Sequence, residues 1–178
     1  MRTEQIEIYK FEDLSEEARE KAIEDLREHN NNDNHYFLEE ELNELLKEEL
    51  DENNIKHYDD LKLYYSFSYS QGDGLCFIGN FRFKDFEFGI KHNSNYYHKN
   101  STEIWFIDEF QEEDNLSEIV RQKAIEKAEE EFKEIYSKIC DKLEKIGYEA
   151  IEYENSEENL KELIEANEYE FLENGEQF

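Results

Sequence analysis

The stretch "LKLYYSFSYSQGDGLCFIGNFRFKDFEFGI", residues 61–90, decides the architecture. In its first third Leu61, Leu63, Tyr65, Phe67 and Tyr69 alternate with Lys62, Ser66, Ser68 and Ser70, the period-two pattern of a strand with one buried face. Beyond Gly72-Asp73-Gly74, the residues Leu75, Phe77, Phe81 and Phe83 continue on odd positions. Directly opposed residues of an antiparallel pair share a face, so odd must meet odd. A three-residue loop of Gly72, Asp73 and Gly74 satisfies this, with Gly74 at a left-handed bulge position. It predicts Tyr69 opposite Phe77, Phe67 opposite Gly79, Tyr65 opposite Phe81 and Leu63 opposite Phe83. A five-residue loop also keeps the parity. A two-residue turn at Lys84-Asp85 then carries the aromatic face onward, pairing Phe83 with Phe86, Phe81 with Phe88 and Gly79 with Ile90. "TEIWFID" (102–108) supplies a further strand, and "KHNSNYYHKNS" (91–101) is the loop before it. The expectation is an antiparallel meander of about four or more strands, with Phe67, Phe77, Phe81 and Phe88 in its core.

The sequence on either side reads as helix. In "LSEEAREKAIEDLREH" (14–29), Ser15 is placed to cap a helix whose stripe is Leu14, Ala18, Ala22, Ile23 and Leu26. "YFLEEELNELLKEEL" (36–50) repeats the pattern with Phe37, Leu38, Leu42, Leu45, Leu46 and Leu50. The longest run, 115–147, carries Leu116, Val120, Ala124, Ala128, Phe132, Ile135, Ile139, Leu143 and Ile146, with Gly147 positioned to stop it. "SEENLKELIEAN" (156–167) is a short fourth helix, and brief strands are expected at 4–11, 147–153 and 168–173. The fold class that follows is α+β, one domain of 178 residues in which a central sheet packs against acidic amphipathic helices.

Charge divides the chain more sharply than length does. Residues 1–60 hold 21 acids and 7 bases, and residues 111–178 hold 22 and 8, so each flank carries −14 of the total −29. The centre, 61–110, is nearly neutral at −1 and holds 14 of the 26 aromatic residues. Such a field repels polyanions, which argues against direct binding of nucleic acid or an anionic membrane. No apolar run is long enough for a membrane span or a signal peptide, and the mean hydropathy is −1.05. Cys76 and Cys140 fall in different elements without metal-type spacing, so a reducing cytoplasm is the expected setting.

Catalytic signatures are missing from the sequence. His29, His35, His57, His92 and His98 lack metal-ligand spacing, and no nucleophile elbow, phosphate loop or dinucleotide fingerprint occurs. No cofactor, no metal and no enzymatic activity are therefore expected. The candidate binding residues are the acid runs on helices: Glu39, Glu40 and Glu41, Glu48 and Glu49, Glu112, Glu113 and Asp114, and Glu129, Glu130 and Glu131. Tyr96 and Tyr97 join them as surface tyrosines. Carboxylates along a helix present negative charge at spacings like those of phosphates, which a basic channel would attract. Gly72, Asp73 and Gly74 are read first as a hairpin bend and alternatively as a small-ligand loop.

Three stretches carry a resemblance: "YKFEDLSEEAREKAIED" (9–25), "YSQGDGLCFIG" (69–79) and "LIEANEYEFLENGEQF" (163–178). Together they resemble small acidic proteins encoded by bacteriophages and prophages, some of which carry an antitoxin label. The resemblance brings no catalytic residues with it. It implies a bacterial host cytoplasm during infection or lysogeny, where small acidic phage proteins block host defence enzymes. The expected function is a non-enzymatic inhibitor that occupies the basic nucleic-acid site of a bacterial defence nuclease, a CRISPR effector being the first candidate. An antitoxin-like neutraliser of a toxin, or a small-ligand module at the glycine loop, are the alternatives.

Overall fold

The computed structural model describes residues 6–32, 36–107 and 115–178. Its fold is α+β: four α-helices and a five-stranded antiparallel sheet among the described residues. The chain divides into two compact units, one made of residues 1–35 with 149–178 and the other of residues 36–148. This division differs from the flank–centre–flank arrangement of the charge. Residues 36–60 of the first acidic flank and 111–148 of the second belong to the same unit as the sheet.

The sheet unit contains α2 (Tyr36–Glu52), β1 (Ile55–His57), β2 (Lys62–Ser66), β3 (Gly74–Phe83), β4 (Phe86–His92), β5 (Thr102–Ile107) and most of α3 (Asn115–Glu154). Strands β2 to β5 form the expected meander, and β1 pairs with β3 as well. The turn at Lys84-Asp85 gives the expected register, with Phe83 opposite Phe86, Phe81 opposite Phe88 and Gly79 opposite Ile90. Lys84 adopts a φ of +56° to make that turn. β5 lies beside β4 with Phe106 opposite Phe88, and Lys91 and His92 belong to β4 rather than to the following loop.

The first hairpin keeps the expected parity but not the expected register. Leu63 faces Phe77 and Tyr65 faces Leu75, so β2 meets only the first half of β3. The second half takes β1 instead, with Ile55 opposite Phe83 and His57 opposite Phe81. At the change of partner, Asp60 receives hydrogen bonds from the Asn80 amide (3.1 Å) and from Asn80 Nδ2 (2.7 Å), and Tyr58 N–H donates to the Asn80 carbonyl (3.2 Å). Gly79 has a φ of +141° there, and a Cβ on it would lie 3.2 Å from the Asp60 carbonyl oxygen and the Leu61 Cα. Because β2 ends at Ser66, residues 67–73 form a seven-residue connection, longer than either expected loop.

Phe67, Phe77, Phe81 and Phe88 are all buried. Phe132 of α3 stacks on Phe88 (4.8 Å, 13°) and also meets Phe81 and Phe83 at 5.9 Å, so one helical side chain joins two strands. Leu38, Leu42, Leu46 and Leu50 of α2 are fully buried, as their spacing requires. On α3 the buried stripe runs through Ile125, Ala128, Phe132, Tyr136, Ile139, Cys140 and Leu143. Val120 and Ala124, expected in that stripe, are exposed.

Gly147 does not end α3. The helix continues to Glu154, so the strand expected at 147–153 is helical. A Cβ on Gly147 would lie 2.3 Å from both Cε2 and Cζ of Phe67. The glycine is there to seat a ring against the helix, and it accepts the entropic cost of a mid-helix glycine to do so.

The second unit contains α1 (Glu16–Asn32) and α4 (Glu157–Ala166). The Ser15 hydroxyl accepts from the Ala18 amide (3.2 Å), the cap expected from sequence, and the Ser156 hydroxyl caps α4 in the same way by accepting from the Asn159 amide (3.2 Å). Leu14, Ala18, Ala22, Ile23 and Leu26 pack with Leu160, Ile164 and Phe171. The strands expected at 4–11 and 168–173 are reduced to isolated bridges, Tyr9 with Phe171 and Phe171 with Gln177. Two backbone hydrogen bonds of 2.8 and 2.9 Å join Tyr9 and Phe171, so residues 9–25 and 163–178 lie in one unit.

Candidate partner-binding surface

Helix α2 is the most one-sided element in charge, with eight acids against one base. Its four buried leucines fix the inner face, which turns Glu40, Glu44, Glu48 and Asp51 outward. Glu39, Glu40 and Glu41 are exposed, and among the described residues Glu40, Glu41, Glu44 and Asp51 form no ion pair. Glu49 is different: it is half-buried and pairs with Lys142 of α3. That pairing raises the Lys142 ammonium above its ordinary value, chiefly through the hydrogen bond to Glu49.

The acids of α3 are more nearly compensated, eleven against seven bases. Glu129 pairs with Lys133 one turn on, Glu131 with Lys84 of the β3–β4 turn, and Asp141 with Lys99. Glu130 is exposed and, among the described residues, has no ion pair. Glu112, Glu113 and Asp114 lie outside the described residues. The structure therefore places the expected acids on separate helices, and α2 carries the largest uncompensated row.

The glycine loop is organised by its own aspartate. Asp73 accepts from the hydroxyls of Ser66 (2.7 Å), Ser68 (3.1 Å) and Ser70 (2.9 Å) and from the Ser70 amide (2.7 Å). Partial burial opposes ionisation, but these donors outweigh it and hold the carboxyl below its ordinary value. The alternating serines, read from sequence as the solvent face of a strand, are in fact the donors of this clamp. Gly72 has a φ of +107° and Gly74 one of +137°. Asp73 thus spends its acceptor capacity inside the loop.

A second loop, 93–101, is fastened to the first. Tyr97 N–H donates to the Gly72 carbonyl (2.8 Å), and His92 Nε2 lies 2.6 Å from the Tyr96 carbonyl oxygen. The Tyr96 ring covers Gly72 so closely that a Cβ there would sit 2.2 Å from its Cδ1. Tyr69, Tyr96 and Tyr97 stand exposed on this rim, at 67%, 47% and 39% of their surface. The sequence reading named the last two and missed Tyr69, whose alternation with serine assigned it to the strand. Tyr69 rests on Tyr148 (5.0 Å), and Tyr148 on buried Phe67 (5.0 Å). Burial first, then the charges of Asp73 and Glu144, raise the Tyr148 hydroxyl above its ordinary value.

His92 and His98 both contact Tyr96. His92 stacks on Tyr64 (5.2 Å), His98 stacks on Tyr96 (5.7 Å), His57 Nδ1 lies 3.2 Å from the Tyr58 carbonyl oxygen, and His35 lies outside the described residues. Among the described residues no group of three or more His, Cys, Asp or Glu could hold a metal ion. Cys76 and Cys140 are buried thiols; burial pushes Cys76 up to about 11 and Cys140 further in the same direction. Neither is a thiolate nucleophile at neutral pH. No helix among the described residues is long and apolar enough to cross a membrane.

No family model, curated protein sequence or solved structure matches the chain.

Proposed function

We propose that the chain is a non-catalytic inhibitor of a bacterial defence nuclease, a CRISPR effector being the first candidate. In this reading helix α2 docks on the basic surface that normally holds nucleic acid, within the bacterial host cytoplasm. The observation that carries the reading is the outer face of α2, where Glu40, Glu41, Glu44 and Asp51 have no cationic partner among the described residues on a helix of eight acids and one base. Four buried leucines fix the helix backbone, so the Cα positions of the row are set before docking and only its side chains remain to be ordered. The resemblance to acidic phage proteins supports the choice of target class.

Charge reversal separates α2 from α3. Glu40→Lys with Glu41→Lys should weaken binding to the effector about tenfold or more, since like charge set against a basic surface is costly. Glu129→Lys with Glu130→Lys should have a smaller effect, because Glu129 is already paired with Lys133. Equal effects from the two pairs would count against α2 as the docking element.

A further inference from the structure

The tyrosine rim is built more firmly than a loop bend requires. Tyr69 keeps a φ of +56°, an unfavourable conformation for a residue with a side chain, and its exposed ring leans at 45° on Tyr148, which in turn meets buried Phe67 at 59°. The Asp73 clamp and the Tyr97–Gly72 hydrogen bond fix the backbone beneath it. Tyrosines held in this way lose little entropy on binding and are frequent among the residues that dominate protein interfaces.

The charge beside the rim indicates the kind of group it suits. Glu144 lies one helical turn before Tyr148, and its Oε2 is 3.2 Å from where a Cβ on Gly74 would be. Among the described residues neither Glu144 nor Asp73 has a lysine or arginine in ion-pair distance. Asp73 is occupied by its serine donors, so Glu144 is the carboxylate with acceptor capacity to spare.

We propose that Tyr69, Tyr148 and Glu144 receive an arginine side chain projecting from a protein partner. The planar guanidinium stacks on the exposed Tyr69 ring beside Tyr148 while its N–H groups donate to the Glu144 carboxylate, and Asp73 adds negative potential alongside. Arginine suits this arrangement better than lysine, because a compact ammonium has no plane to stack and no fork to present. The inference rests on the reading of a basic partner given above and adds a second contact, distinct from α2.

The test needs no partner protein. The full chain, labelled with ¹³C on its tyrosine rings, is titrated with acetyl-Gly-Arg-Gly-amide and with the lysine counterpart. Salt of about 0.3 M keeps the screening length below roughly 8 Å and suppresses general attraction to the acidic surface. The arginine peptide should shift the Tyr69 and Tyr148 signals saturably, with a Kd of about millimolar order. It should bind several-fold more tightly than the lysine peptide. Glu144→Gln, which preserves shape, and Tyr69→Ala should each weaken it several-fold, whereas Glu40→Lys with Glu41→Lys should leave it unchanged. Unsaturable shifts, equal response to lysine, or indifference to Glu144→Gln would overturn the proposal. Loss of effector binding in the α2 variant with an unchanged peptide titration, or the reverse, tells the two contacts apart.

Discussion

Replacing Gly147 by alanine pits helix propensity against packing, and the structure fixes which wins. In a helix interior the change should stabilise by roughly 0.5–1 kcal/mol. Here the new methyl would lie 2.3 Å from two ring carbons of Phe67, a side chain that is itself buried against Tyr148. Overpacking of this kind costs about 1–3 kcal/mol. The expected net effect is a loss of about 1–2 kcal/mol. Phe67→Leu provides the control, since leucine lacks the Cε2 and Cζ atoms that the methyl would meet. The closest contact left on that side is the one now made by Cδ2 at 3.1 Å. In that background Gly147→Ala should turn neutral to stabilising, giving a coupling of about 1.5–3 kcal/mol. Urea unfolding of the four proteins at one salt concentration measures it, with a constant m-value as the check on compactness. Equal destabilisation in both backgrounds is what a helix-terminating glycine would give, and it would refute the packing argument.

Phe81 is fully buried against Phe77 and Phe132, so Phe81→Ala should cost about 3–5 kcal/mol in the same assay. Asp73→Asn should cost about 1–3 kcal/mol near neutral pH, because the new amide N–H₂ cannot accept from the serine hydroxyls. Against partial burial, the serine donors hold the native Asp73 carboxyl below its ordinary value, so its contribution is present above the ordinary carboxylate range and is lost as pH falls through the depressed native value. The stability gap between wild type and Asp73→Asn should therefore close on acidification; a gap that widens would contradict the clamp. With a net charge of −29, thermal stability should rise as salt increases from about 0.01 to 1 M, over which the screening length shrinks from roughly 30 to 3 Å.

Sequence reasoning reached furthest where one side-chain period acted alone. The Phe83–Phe86 turn was legible because parity and aromatic spacing leave one two-residue solution, even though Lys84 must take a positive φ. The α2 leucines and the Ser15 cap were legible for the same local reason. The β2–β3 register was not, because β3 serves two partners and the second, Ile55–His57, is three residues with one buried side chain. No periodic pattern can reveal so short a strand. Gly147 was misread because a mid-helix glycine and a terminal one look alike until the ring that needs the space is known. The acidic residues were all visible in sequence, as was the i,i+4 spacing of Glu129 and Lys133, but pairing between elements was not. Lys142 and Lys84 belong to other elements than Glu49 and Glu131, and only the fold brings those pairs together and sets them apart from the outer row on α2. Tyr69 was hidden by the same serine alternation that suggested the strand, since those serines turn out to serve Asp73.

The central claim is that the acidic face of α2 takes the place of nucleic acid on a basic surface. Competition binding tests it most directly: the chain and a DNA or guide-RNA ligand are titrated together onto a CRISPR effector at low salt and at about 0.5 M salt, where the screening length is well under 10 Å. The account predicts mutual exclusion, with the chain's affinity falling steeply as salt rises and Glu40→Lys with Glu41→Lys no longer displacing the nucleic acid. A ternary complex in which chain and nucleic acid are bound together, with an affinity indifferent to salt, would contradict it.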